Sequence, residues 1–349
     1  MRGFDIGDIY IWWYITYTFA DKSIDAPCSS VREVYFLTSL PRSPIRHSIQ
    51  QYSKYQMERC LKSFVTAVML VVVALHGVLG AKPSPGCGNA PKLVSASSVS
   101  TALKMTVNNK SREYFVKLPD SYNKDHPYRL IYTLHALGGN AGQVVAGTGG
   151  YLAWYGIPPL VTDNISAIYV APNGLNNGWA NTGGEDVTFI SQLNTALDND
   201  LCIDQNLRFS TGFSYGAAMS FEIACSLAKD FRAVAVLSGN PNISGTCVGG
   251  NDPIAYYGEH GVSDTTLPIA GGRAMRDRFV KNNGCTPQTP AEPAAGSGKH
   301  IKTEYSGCTA DHPVTWIAFD GPHTPQPKDS GASKTFANTE SWEFFSQFT

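Results

Sequence analysis

The stretch "LRFSTGFSYGAAMSFEIACSLA", Leu207 to Ala228, reads as a β-prone run, a tight turn and a helix in immediate succession. Leu207 to Thr211 has the composition of a strand, and the alanine-rich segment from Ala217 onward forms helix readily. Between them Ser214 stands two residues from Gly212 on one side and from Gly216 on the other. Serine and glycine are ordinary turn residues, so the pentapeptide alone marks only a turn. Its setting adds to that. A strand that reverses at once into a helix brings backbone against backbone, and glycines at both flanks remove the side chains that would collide there. The serine is then held at the tip, with the first amides of the helix directed toward it. This is the pattern of a nucleophile elbow, in which the N–H of Tyr215 can donate to a developing oxyanion.

A serine hydroxyl is a weak nucleophile until a base takes its proton, so a histidine and an orienting carboxylate are expected downstream. Catalytic groups of open α/β sheets collect where strands end. "PIAYYGEHGVSD" places Asp264 just past one strand-like run, and "PVTWIAFDGPHTPQP" places His323 just past another. Ser214, Asp264, His323 is the order of the α/β-hydrolase fold. His135, His260 and His312 compete for the base, and Asp252, Glu259 and Asp320 for the acid. Position at a strand end favours His323 and Asp264. His260, four residues before Asp264, reads as shaping that loop, whereas His312 precedes a strand. "LHALGGN", after the early strand Tyr128 to Leu134, supplies the second oxyanion donor, Leu137.

The rest of the chain fits one catalytic domain over 81–349. Apolar runs alternate with helical stretches near Asp186 to Leu201, Ala217 to Ala228, Gly271 to Asn283 and Ser341 to Phe348. The expected architecture is α/β, a mostly parallel sheet with helices on both faces and an antiparallel N-terminal hairpin over Ala102 to Lys117. The 349 residues carry a formal net charge of -1 with 16% charged residues, which excludes an electrostatic grip on nucleic acid. Residues 57–80 pair a short cationic start with an apolar run and a small-residue exit, the pattern of a secretory signal peptide. Residues 1–56 then read as a doubtful extension ahead of the true start. The chain is expected to be exported, to be a monomer and to have no membrane attachment once that signal is removed.

Six of the eight cysteines follow the signal, an even number suited to three disulfides. Cys285 and Cys308 flank a Pro/Gly-rich loop. Cys225 on the helix after the elbow pairs naturally with Cys247 after the next strand, which leaves Cys87 for Cys202. Sequons at Asn109, Asn164 and Asn242 mark expected glycosylation sites. No metal-ligand spacing is present, and no metal or cofactor is expected. Trp154, Tyr155 and Trp179 fall in loops toward the catalytic end and are candidate partners for an aromatic acyl group.

On "LHALGGN", "APNGLNNGWAN", "GGEDVTFI", "LCID", "TGFSYGAAMS", "HGVSD" and "FDGPHTPQP", the chain resembles the secreted fungal-type feruloyl esterases, related to acetylxylan esterases and polyhydroxybutyrate depolymerases. Ala136 departs from the glycine that many relatives carry after the histidine. The resemblance implies a serine esterase that releases ferulic and related hydroxycinnamic acids from plant cell-wall polysaccharides, feruloylated arabinoxylan or pectin. Acetylxylan or short-chain polyester hydrolysis is the alternative within the same chemistry. A noncatalytic carbohydrate-binding protein on a hydrolase fold is the alternative outside it.

Overall fold

The computed structural model describes residues 80–349, apart from 96–97, 163–165, 246 and 248. The extension, nearly all of the expected signal segment, and Asn164 therefore lie outside the described residues. The chain enters the sheet through a hairpin, β1 (Leu103–Val107) and β2 (Lys110–Lys117). Asn108 and Asn109 make its turn at φ 49 and 59. Two successive positive φ values match the right-handed twist of a hairpin, and asparagine tolerates them better than most residues. Asn109 is exposed at this turn, as is Asn242 in a later loop.

Five runs are buried along their whole length: β3 (Tyr128–Leu134), β4 (Ala167–Pro172), β6 (Ala233–Leu237), β7 (Ala255–Gly261) and β9 (Val314–Phe319). Burial on both faces is what a parallel sheet between helices demands. With β5 (Ile203–Phe213) and the edge strand β8 (His300–Glu304), the described residues form a sheet of order β1-β2-β4-β3-β5-β6-β7-β9-β8. The interior from β4 to β9 is parallel, and the hairpin and β8 are antiparallel.

Side chains alternate between two cores. Leu130, Tyr132 and Leu134 face one core with α2 (Glu185–Asp200), α3 (Tyr215–Ser226) and α4 (Ile269–Asn282). Ile131, Phe209 and Tyr257 face the other, with α1 (Ala141–Ala146) and α5 (Ala337–Ser346). Neither β8 nor α1 shows in the sequence pattern. His-Ile-Lys-Thr-Glu at the sheet edge is half-exposed and mostly polar, and α1 is too short to show a helical period.

Disulfides join Cys87 to Cys202, Cys225 to Cys247 and Cys285 to Cys308. The first closes a separation of 115 residues and the last one of 23. Loop-closure entropy makes the longer constraint the stronger, about 5 against about 3 kcal/mol. Replacing Cys87 and Cys202 together by alanine should therefore lower the unfolding free energy more than replacing Cys285 and Cys308. Denaturant titration of the two double variants checks this order.

Candidate active site

Ser214 sits between β5 and α3 at φ 58, ψ -113, a conformation that costs a non-glycine residue on the order of 1–3 kcal/mol. It persists because the surroundings hold it. Ser214 N–H donates to Leu237 O at 2.9 Å, tying the turn to the end of β6. A Cβ on Gly212 would lie 2.5 Å from the carbonyl of Gly216, and one on Gly216 would lie 2.7 Å from His135 O and closer still to Leu134 O. Any side chain at either place would push strand and helix apart.

The loop after β3 approaches the same point. Ala136 N–H donates to Tyr151 Oη at 2.7 Å, Gly138 N–H to Asn177 O at 2.8 Å, and Gly139 N–H to Ala136 O at 3.1 Å. Among the described residues, the N–H of Leu137 in this loop and the N–H of Tyr215 at the head of α3 meet no acceptor. The two residues converge around Gly178. A Cβ there would lie 2.8 Å from the Tyr215 ring and 3.3 Å from Leu137 Cδ1. Leu137 is 69% exposed, so an apolar residue faces solvent beside this point.

Asp264 and His323 are brought together by the loops after β7 and β9. Val262 N–H donates to Phe319 O at 2.8 Å, and Ser263 N–H to Gly321 O at 3.3 Å. Gly261 permits this approach, since a Cβ there would lie 2.9 Å from Pro322 O. Asp264 is buried, and its Oδ1 accepts from Thr266 N–H at 2.9 Å and Leu267 N–H at 2.8 Å. Its Oδ2 lies 2.6 Å from His323 Nδ1. The ring of Phe213, next to Ser214, packs on the His323 ring with centroids 4.5 Å apart. A carboxylate held by two amides and facing Nδ1 keeps the proton on that nitrogen and leaves Nε2 as the acceptor.

Apart from His260, which lies 3.3 Å from Asp264 Oδ2, the other candidates fall elsewhere. His135 is buried, accepts Gly174 N–H on Nε2 at 2.9 Å, and is pushed down to about 4 by desolvation, so it stays neutral. His312 contacts Ala310 O away from these loops, and Asp320 accepts Gly298 N–H at 2.7 Å. Trp154, Tyr155 and Trp179, expected to meet substrate, are buried at 3%, 7% and 0% exposure. They are framework. Trp179 Nε1 donates to His135 O at 2.8 Å. Tyr155 Oη donates to Leu134 O at 2.6 Å and accepts Phe213 N–H at 2.9 Å, bridging β3 and β5 beneath the serine. Among the described residues no group of three or more His, Cys, Asp and Glu side chains is placed to hold a metal.

No protein-family model matches the chain. Feruloyl esterase D of Neurospora crassa is 48% identical over 287 residues, spanning 81% of this chain and 97% of that protein. Feruloyl esterase C of Emericella nidulans is 47% identical over 286 residues, 82% of this chain and 98% of that protein. The chain belongs to the feruloyl esterases. In this member of the family the elbow serine, the two unoccupied amides and the carboxylate–imidazole pair share one end of the sheet.

Glu259 lies on the strand that leads to this feruloyl esterase's Asp264, but its carboxyl turns to the opposite face. It is buried under α5 and accepts Tyr257 O–H at 2.7 Å. Burial pushes it up to about 8, opposed by the Tyr257 hydrogen bond and aided by Glu340. An unfolded glutamate titrates at about 4.3, so the folded state holds the extra proton between there and about 8. Stability from this group is complete below the lower value and is lost as pH rises through the upper one. Glu259→Gln should therefore flatten the fall in stability between pH 5 and 8 and be more stable than the parent near pH 9, each pH step in that window weighing roughly 1.4 kcal/mol. Melting temperatures across that range check it.

Proposed function

We propose that the chain hydrolyses hydroxycinnamoyl esters, feruloyl esters above all, through an acyl intermediate on Ser214. His323 Nε2 takes the hydroxyl proton as Ser214 Oγ attacks the ester carbonyl. The imidazolium so formed is stabilised and oriented by Asp264 through Nδ1–H. The carbonyl oxygen gains negative charge, and the N–H groups of Tyr215 and Leu137 receive it. The same imidazolium returns its proton to the departing alcohol, and water then repeats the sequence to free the acid.

The single observation that carries this reading is the 2.6 Å contact between His323 Nδ1 and Asp264 Oδ2, at the end of the sheet that holds the strained serine. Two amides without acceptors, that of Tyr215 next to the serine and that of Leu137 in the loop after β3, fit the same chemistry. The substrate is a feruloyl ester of a plant cell-wall polysaccharide, arabinoxylan or pectin, whose sugar hydroxyl is the leaving alcohol. Export fits the cysteines, since among the described residues none is free, and disulfides persist in oxidising compartments. It also fits the signal-like pattern of 57–80. Among the described residues no helix is long and apolar enough to cross a membrane.

Ser214→Ala and His323→Ala should each fold as the parent does and lose on the order of 10⁴ in kcat on methyl ferulate, the scale of losing a triad member. Ferulate release measured beside circular dichroism decides it, and a folded Ser214→Ala enzyme with near-parental turnover rules the assignment out.

A further inference from the structure

His260 is a fully buried histidine that the reaction above does not use. It lies at the carboxyl end of β7, four residues before Asp264, and its Nε2 faces two oxygens. One is Leu267 O at 2.7 Å, and the other is Asp264 Oδ2 at 3.3 Å, the same oxygen that meets His323. Its Nδ1 has no hydrogen-bond partner.

These contacts fix the tautomer. A proton on Nδ1 would leave a buried N–H without an acceptor and aim the Nε2 lone pair at two oxygens, which is doubly unfavourable. A proton on Nε2 gives both oxygens a donor and leaves only a ring lone pair in apolar surroundings. Burial holds His260 below the ordinary histidine range, against the opposing pull of Leu267 O and the Asp264 charge, so the ring is neutral. The site is also cut to its shape. A Cβ on Gly272 of α4 would run into His260 Nδ1 and lie 2.9 Å from the Trp316 ring.

We propose that His260 is a positioning residue for ester hydrolysis, whose neutral Nε2–H holds Asp264 Oδ2 on His323 Nδ1 and pins the loop between them through Leu267 O. This rests on the roles given above to Ser214, Asp264 and His323. The carboxylate then has every approach occupied: Thr266 and Leu267 amides on Oδ1, and two imidazoles on Oδ2. Without the Nε2–H of His260, Oδ2 is free to rotate away from His323, and misplacement of about 1 Å in a catalytic array costs up to roughly 10²-fold.

The test compares His260→Gln, His260→Asn and His260→Leu. The glutamine amide can reach the place of Nε2, the shorter asparagine amide stops short of it, and leucine fills the space without a donor. We expect the asparagine and leucine variants to lose about 10- to 100-fold in kcat on methyl ferulate with KM within about twofold, and the glutamine variant to recover most of the loss. In proton NMR, the far-downfield resonance of the His323–Asp264 hydrogen bond should persist in the parent and the glutamine variant and vanish or move in the asparagine variant. Near-ultraviolet circular dichroism identifies which variants are folded, and the glutamine–asparagine pair decides the matter if leucine is not. Equal kcat and an unchanged resonance in folded glutamine and asparagine variants would overturn the role of His260 alone. An active Ser214→Ala enzyme would overturn instead the reading on which it rests.

Discussion

The close approach of backbone at Gly216 constrains the rest of the structure. A Cβ at this position would meet the carbonyls of Leu134 and His135 at the end of β3, so helix α3 can start where it does only with glycine there. That contact sets β3 and β5 side by side at their carboxyl ends and fixes the angle at which α3 leaves the sheet. It also brings the loop after β3 against the head of α3. Leu137 and Tyr215 consequently both approach Gly178, and Ser214 takes positive φ at the head of α3. Strain at the serine is held by surrounding bonds, Ser214 N–H to Leu237 O and Phe213 N–H to Tyr155 Oη.

A second close approach, at Gly261, does for Asp264 and His323 what Gly216 does for Ser214. It lets the loops after β7 and β9 share hydrogen bonds, and Asp264 and His323 lie where those loops touch. The two glycines act at different strands of one sheet, so these three side chains come from segments far apart in sequence yet stand on one frame. Rigid support of this kind gives catalytic groups their orientation before substrate arrives.

Much of this was legible in the chain because its signals are local. The Gly-x-Ser-x-Gly turn between a β-prone run and an alanine-rich helix, the asparagine pair of the hairpin and the apolar runs ending at Asp264 and His323 each carry their own physical cause. The cysteine pairs could be read from chain order, since neighbouring elements and one loop leave few choices. What could not be read was direction. Trp154, Tyr155 and Trp179 are aromatic and lie in loops, but nothing in their spacing shows that they turn inward, where Tyr155 and Trp179 hydrogen-bond Leu134, Phe213 and His135. The edge strand His300–Glu304 is too polar to show as an apolar run. His260 could be placed near Asp264 by its spacing, but its contact with Oδ2 depends on the fold of the intervening loop.

The proposed chemistry turns on covalent acylation of Ser214 Oγ. Its most direct measurement is rapid acid quenching of the enzyme during turnover of a feruloyl ester, followed by peptide mass spectrometry. Acylation at Ser214 gives a feruloyl adduct on the peptide that contains it, formed within the first turnover and absent from Ser214→Ala. Turnover without any adduct, or an adduct on a different residue, would contradict it.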